Sequence, residues 1–166
     1  MELFKQSAGL KRNNTLILGL GNDILTDDAI GPRLANDLSH ICSDTGTDFV
    51  IAGSGGLEIM ELIKDYQRVI IIDSIHTSGG KPGDVYYLTP SDFKETSNLS
   101  SIHDVSFLAA LDLGKMIDYT MPDAIHIIAV EIVEDLEFSE RFTPVIEEKY
   151  PEILSRVSLI LKKILE

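Results

Sequence analysis

The chain has a single cysteine, Cys42, and no tryptophan. One thiol excludes an intramolecular disulfide and leaves no basis for a cysteine-held zinc site. No run of about 18 apolar residues occurs, so a helical membrane span is not expected. No N-terminal stretch joins a basic start to an apolar run and a small-residue cleavage site, so no secretory leader is expected either. Basic residues are scarce: 14 Lys and Arg stand against 27 Asp and Glu, a net charge of −13. An acidic surface repels a phosphate backbone, which removes nucleic acid from the expected partners. Together these absences describe a soluble protein of a reducing, cytoplasmic compartment. The charge has two readings, plain solubility or attraction to a cation or a basic peptide tail, and composition does not choose between them.

What is present reads as one domain. The 166 residues are 44% hydrophobic, enough for an ordinary core. Residues 1–14 are polar and without a clear period, a loose N-terminal lead-in; residues 15–166 form the domain. Thr15–Leu20 is a short apolar run ending at Gly19 and Gly21, as a buried strand ends. Ile30, Leu34, Leu38 and Ile41 follow at helical spacing, with Pro32 in the first turn. Further strands are expected at Asp48–Ala52, Arg68–Asp73, Val85–Leu88 and Ile125–Val130, and helices at Leu57–Lys64, over Val105 to Met116, and at the C-terminus. His76–Gly83 reads as a turn-rich loop and Pro90–His103 as a long surface loop. Thr143-Pro144 and Tyr150-Pro151 each have the form of a helix start. Strands alternating with helices predict an α/β fold: a single-domain three-layer sandwich, a mostly parallel twisted sheet with helices on both faces.

In such a sheet, ligands bind beyond the carboxyl ends of the strands. Asn22, Asp23, Asp27 and Asp28 follow the first strand, and Asp73 closes the run Val69-Ile70-Ile71-Ile72. If the strands are parallel, both groups share one edge, and His103 could reach it from the loop before a helix. Two carboxylates and an imidazole make a plausible set for a divalent first-row metal, with coordination positions left open. Plainer readings stand beside this one. Asp27 or Asp28 could cap the following helix, although Pro32 fits poorly with Asp28 as the cap. Asp73 could begin a turn, and His103 could be a surface residue. His76 competes for the imidazole role, whereas His40 reads as solvated and His126 as structural. Gly19-Leu20-Gly21 is a weak phosphate-binding signal, because Ile24 occupies the place of the third glycine. Nucleophilic hydrolysis lacks its motifs: Gly53-Ser54-Gly55 is not a nucleophile elbow, no His-Glu-x-x-His occurs, and Cys42 reads as packed.

The segment from Gly19-Leu20-Gly21-Asn22 through Asp27-Asp28 to Gly31 resembles the opening signature of the nickel–iron hydrogenase maturation proteases. Gly55-Gly56-Leu57-Glu58, Ile71-Ile72-Asp73-Ser74 with Pro82-Gly83, Ser101-Ile102-His103-Asp104 and Thr143-Pro144 resemble further segments of that family, in the same order. The resemblance implies a cytoplasmic, aspartic-type endopeptidase that removes the C-terminal extension of a hydrogenase large-subunit precursor. It maps the family's metal-binding and catalytic residues onto Asp28, Asp73 and His103, with Asp27 as another candidate base. The metal implied is nickel, carried by the precursor, with other divalent metals as substitutes. This sequence departs from the pattern in three places. Asp28 stands where several relatives carry Glu. His103 is followed by Asp104-Val105-Ser106. Val133-Glu134 lies after the last strand where the family often has Pro-Glu. A non-proteolytic, nickel-dependent maturation chaperone would use the same residues, and an unrelated α/β hydrolase would instead need a deep, enclosed pocket.

Overall fold

Runs of aliphatic residues with no polar alternation must be covered on both sides, and the sheet supplies that cover. The structure, a computed structural model, describes residues 14–42, 46–53, 56–95 and 102–166, with the side chains of 56, 93–95 and 102–106 excepted. Residues 1–13 of the expected lead-in lie outside the described residues. The strands are β1 (Thr15–Leu20), β2 (Thr47–Ala52), β3 (Arg68–Ile75), β4 (Val85–Leu88) and β5 (Ala124–Glu131). They form one sheet in the order β2-β1-β3-β5-β4. β1 runs parallel to β2 and β3, and β3 parallel to β5; β4 joins β5 antiparallel at the edge.

Side chains that alternate along each strand feed two separate cores. Ile17, Ile70, Ile72, Ile128 and Val130 face α1 (Ile30–Ile41) and α5 (Pro144–Leu165). Leu16, Leu18, Val69, Ile71 and Ile127 face α2 (Gly56–Ile63) and α4 (Ile102–Met116). This is the expected α/β architecture, a mostly parallel sheet with helices on both faces. Because β2 and β3 lie on opposite sides of β1, the strand order reverses between β1 and β3. A crevice is therefore expected at their carboxyl ends.

Several elements differ from the sequence expectation. Ile41, in the last turn of α1, does not join the buried stripe and is 59% exposed, and Cys42 packs against the core there instead. β3 continues past Asp73 to Ile75, since Ser74 and Ile75 keep pairing with Val130 and Glu131. Part of the expected loop after Pro90 is a short helix, α3 (Pro90–Glu95). α4 begins at Ile102, so His103 lies in its first turn and not in a loop. Tyr150-Pro151 starts no helix: α5 begins at Thr143-Pro144 and runs through Pro151. A proline inside a helix costs one backbone hydrogen bond and a steric clash, about 3 kcal/mol. Ile146, Ile153, Val157 and Leu161 lie on one buried stripe that spans the proline. Burial of about 1.5–3 kcal/mol per aliphatic side chain outweighs that cost.

Candidate active site

After Leu20 the backbone must turn sharply and leave room for the helix that follows. A Cβ on Gly21, whose φ is +142°, would meet the Asp28 carbonyl oxygen at 2.0 Å. A Cβ on Gly31 would meet the carbonyl oxygens of Leu20 at 2.1 Å and Ile72 at 2.6 Å. The glycines of the opening motif thus serve close packing of the turn and helix α1 onto β1 and β3. Asn22 shapes the turn between them: its side-chain oxygen accepts from the Ile24 amide at 3.1 Å, and its carbonyl from Leu25 at 3.1 Å. Thr26 follows with φ of +50°, an uncommon conformation for a β-branched residue. Two bonds hold it there. Its amide donates to the Ser139 carbonyl at 3.0 Å and its hydroxyl to the Glu137 carbonyl at 2.6 Å.

The next four residues, Thr26–Ala29, make a 3-10 turn, and neither acid in it caps α1: the N-cap is Ala29, with no side-chain bond. The two acids point to different work. Asp28, 6% exposed, accepts from the Asn22 amide at 2.8 Å and from the Ser74 hydroxyl at 3.0 Å. Asp73, 3% exposed, accepts from the Ser74 amide at 2.8 Å. Ser74 thus bonds both acids at the carboxyl end of β3, Asp73 through its amide and Asp28 through its hydroxyl. Asp27 is fully buried. Its carboxylate accepts four hydrogen bonds, from the amides of Val133, Glu134 and Thr143 and from the Thr143 hydroxyl, at 2.8–3.1 Å. Those donors occupy its acceptor positions and tie it to the loop after β5. Thr143 spends its hydroxyl on Asp27 and gives no side-chain cap to α5.

The imidazoles separate in the same way. The C-terminal half of α4 lies at the amino end of β5, where Asp112 and Lys115 line a cavity of about 400 Å³ with Ala124 and His126. The helix axis thus carries its first turn, with His103, toward the opposite, carboxyl end of the sheet; the His103 side chain lies outside the described residues. His76 is directed elsewhere, with Nε2 at 3.3 Å from Asp135 Oδ2. His126 bonds the Tyr87 hydroxyl at 2.8 Å and stacks on its ring; burial holds its pKa below the ordinary value. Cys42 packs against the core beside α1, and burial pushes its thiol up, away from the reactive thiolate.

One further acid escaped the sequence reading. Glu131, 3% exposed, ends β5 on the same face as Asp73. It accepts from the Thr77 amide at 2.8 Å, the Thr77 hydroxyl at 2.7 Å and the Tyr86 hydroxyl at 3.1 Å. It pins Thr77 of the 76–83 loop and Tyr86 of β4 to the carboxyl end of β5. The signal that marks Asp73, a carboxylate closing a buried aliphatic run, also marks Glu131 after Ile127-Ile128-Ala129-Val130. Glu134, by contrast, accepts from the Leu136 amide at 2.7 Å and the Glu137 amide at 3.1 Å, which holds its carboxyl below the usual range. Among the described residues, no group of three His, Cys, Asp or Glu side chains is placed to hold a metal ion.

Comparison with known proteins bears on this arrangement. The sequence profile described as hydrogenase maturation protease matches residues 32–160, a stretch that includes Asp73 and His103 and begins after Asp28. The hydrogenase 2 maturation protease of Escherichia coli (strain K12) is 28% identical over 153 residues, covering 89% of this chain and 90% of that protein. The solved structure of the hydrogenase maturating endopeptidase HybD from E. coli superposes with a TM-score of 0.72 at 26% identity, covering 90% of this chain and 93% of that one. The [NiFe] hydrogenase maturation protease HybD from Thermococcus kodakarensis shares the fold, with a TM-score of 0.71 at 21% identity and coverage of 92% and 99%. The chain belongs to the hydrogenase maturation protease family and is a peptidase.

Proposed function

We propose that this peptidase removes the C-terminal extension of a nickel-loaded [NiFe] hydrogenase large-subunit precursor in the cytoplasm. Asp28, Asp73 and His103 engage the nickel that the precursor carries. The observation that supports this reading is the bond from the Ser74 hydroxyl, next to Asp73 at the carboxyl end of β3, to Asp28, which brings the Asp28 carboxylate to that strand end at the switch point of the sheet. Two carboxylate oxygens and an imidazole nitrogen suit a first-row divalent ion, and three protein ligands leave positions for groups of the substrate. Ser74 and the Asn22 amide orient the Asp28 carboxylate, as outer partners commonly do around a metal. Held by these residues, the nickel would position the scissile bond and could supply Lewis-acid polarisation of its carbonyl. The proton of the attacking water passes to Asp28 or Asp73, because Asp27 is engaged by the loop after β5.

The test is the mass of the precursor after incubation with the enzyme, with nickel present or absent in the precursor. Wild type should shorten the loaded chain and leave the nickel-free chain intact. Asp28→Asn, Asp73→Asn and His103→Ala should each slow cleavage by about 100-fold or more, the range for removing a group that acts in the chemical step. Cleavage that persists in His103→Ala would sink the assignment of that residue. A loaded precursor that binds wild type and keeps its full mass would favour a non-proteolytic nickel-dependent chaperone.

A further inference from the structure

The loop from Ile132 to Thr143 carries apolar side chains that the fold leaves in solvent. Phe138 is 81% exposed and Leu136 74%; Val133, and Ile24 on the neighbouring turn, are 46% exposed each. Phe142, only a few residues on, is buried beneath the Arg33 guanidinium and against Tyr150, so burial is available to this loop. The exposed set is held outward by the backbone. Asp27 binds both ends of the loop, at Val133, Glu134 and Thr143. Glu134 ties down the amides of Leu136 and Glu137. Arg33 bonds the Glu140 carbonyl, and Ser139 exchanges backbone bonds with Ile24 and Thr26 at 3.0 Å each. The loop and the Ile24–Thr26 turn are thus one pre-shaped platform, continuous through Asp27 with Asp28. A scattered exposed Leu needs no explanation. Four apolar residues held outward on one such frame, beside a candidate active site, mark a contact surface.

Its charge says what covers it. Asp23, Glu134, Asp135, Glu137 and Glu140 lie among the apolar residues, five acids against the one loop cation Arg141, and the chain as a whole carries −13. Arg33, the nearest cation of α1, is occupied by Glu140 and Phe142. We propose that Ile24, Val133, Leu136 and Phe138 form the docking surface for an apolar, Lys- or Arg-bearing segment of the precursor that flanks the bond to be cut. This inference rests on the function proposed above.

The test compares wild type with the double variant Leu136→Ser, Phe138→Ser, both positions being too exposed to carry the fold. Affinity for the nickel-loaded precursor is measured directly by titration, and kcat and KM by its shortening. Loss of two interface anchors should weaken Kd and raise KM about tenfold or more, with kcat kept within about twofold. An unchanged Kd overturns the docking surface while leaving the protease reading intact. A wild type that binds without cutting, with binding lost in the variant, supports the surface and overturns the protease reading. A wild-type dimer that the variant dissociates, with Kd for the precursor unchanged, assigns the surface to a second copy of the chain and overturns the proposal.

Discussion

Adjacent residues of one sequence motif can have opposite environments. Asp27 and Asp28 share a 3-10 turn, so their side chains diverge; one points into the loop after β5 and the other toward Ser74. Asp27 should therefore act on stability. In Asp27→Asn the new amide nitrogen faces N–H and O–H donors that the carboxylate accepted, so bonds are lost and donors oppose each other. The expected loss is about 1–3 kcal/mol. For a chain of this length that lowers the thermal midpoint by roughly 2–4 °C per kcal/mol. Calorimetry of Asp27→Asn beside Asp28→Asn checks this. A wild-type midpoint in Asp27→Asn would contradict the assigned role.

At the scale of elements, the 132–143 loop has no regular secondary structure of its own apart from one isolated bridge, Leu25 to Ser139. Carboxylate acceptors supply the order, and through Glu134 the loop is sensitive to acid. The Glu134 carboxyl is held below its ordinary 4.5 chiefly by the Leu136 amide, then by the Glu137 amide. A depressed folded pKa contributes order that is complete above the unfolded value and is lost as pH falls through the folded value. The Leu136 and Glu137 amides should therefore stay protected from neutral pH down to 4.5 and become labile below it. Amide exchange followed by NMR reads this out, and release close to neutral pH would refute it. β3 and β5 show the complementary case. Their long pairing places Asp73 and Glu131 within the carboxyl ends of strands, so the backbone of both acids is fixed by the sheet.

For the molecule as a whole, the excess of 27 acids over 14 bases acts at long range. If the precursor segment is basic, association is steered by charge and screened by salt. KM for the precursor should rise several-fold from low to high ionic strength, with kcat nearly constant. A KM indifferent to salt would leave apolar contact as the sole attraction. No helix among the described residues is long and apolar enough to cross a membrane.

The local period of the sequence was sufficient for most of the architecture. Aliphatic runs without alternation mark β1, β3 and β5 as strands covered on both faces, and helical spacing marks α1 and α5. The positions of Asp28 after β1 and of Asp73 near the end of β3 were legible because an acid following a buried strand has a predictable address at the sheet edge. Other features depend on contacts between distant segments, which no local window contains. The sequence could not show that Asp27 binds Thr143, that the Ser74 hydroxyl bonds Asp28, that Glu131 pins Thr77 and Tyr86, or that α5 passes through Pro151. The physical reason is range. Periodicity reports which face of an element avoids water, whereas the partner of a buried carboxylate is chosen only when the layers close and each desolvated charge must find its donors.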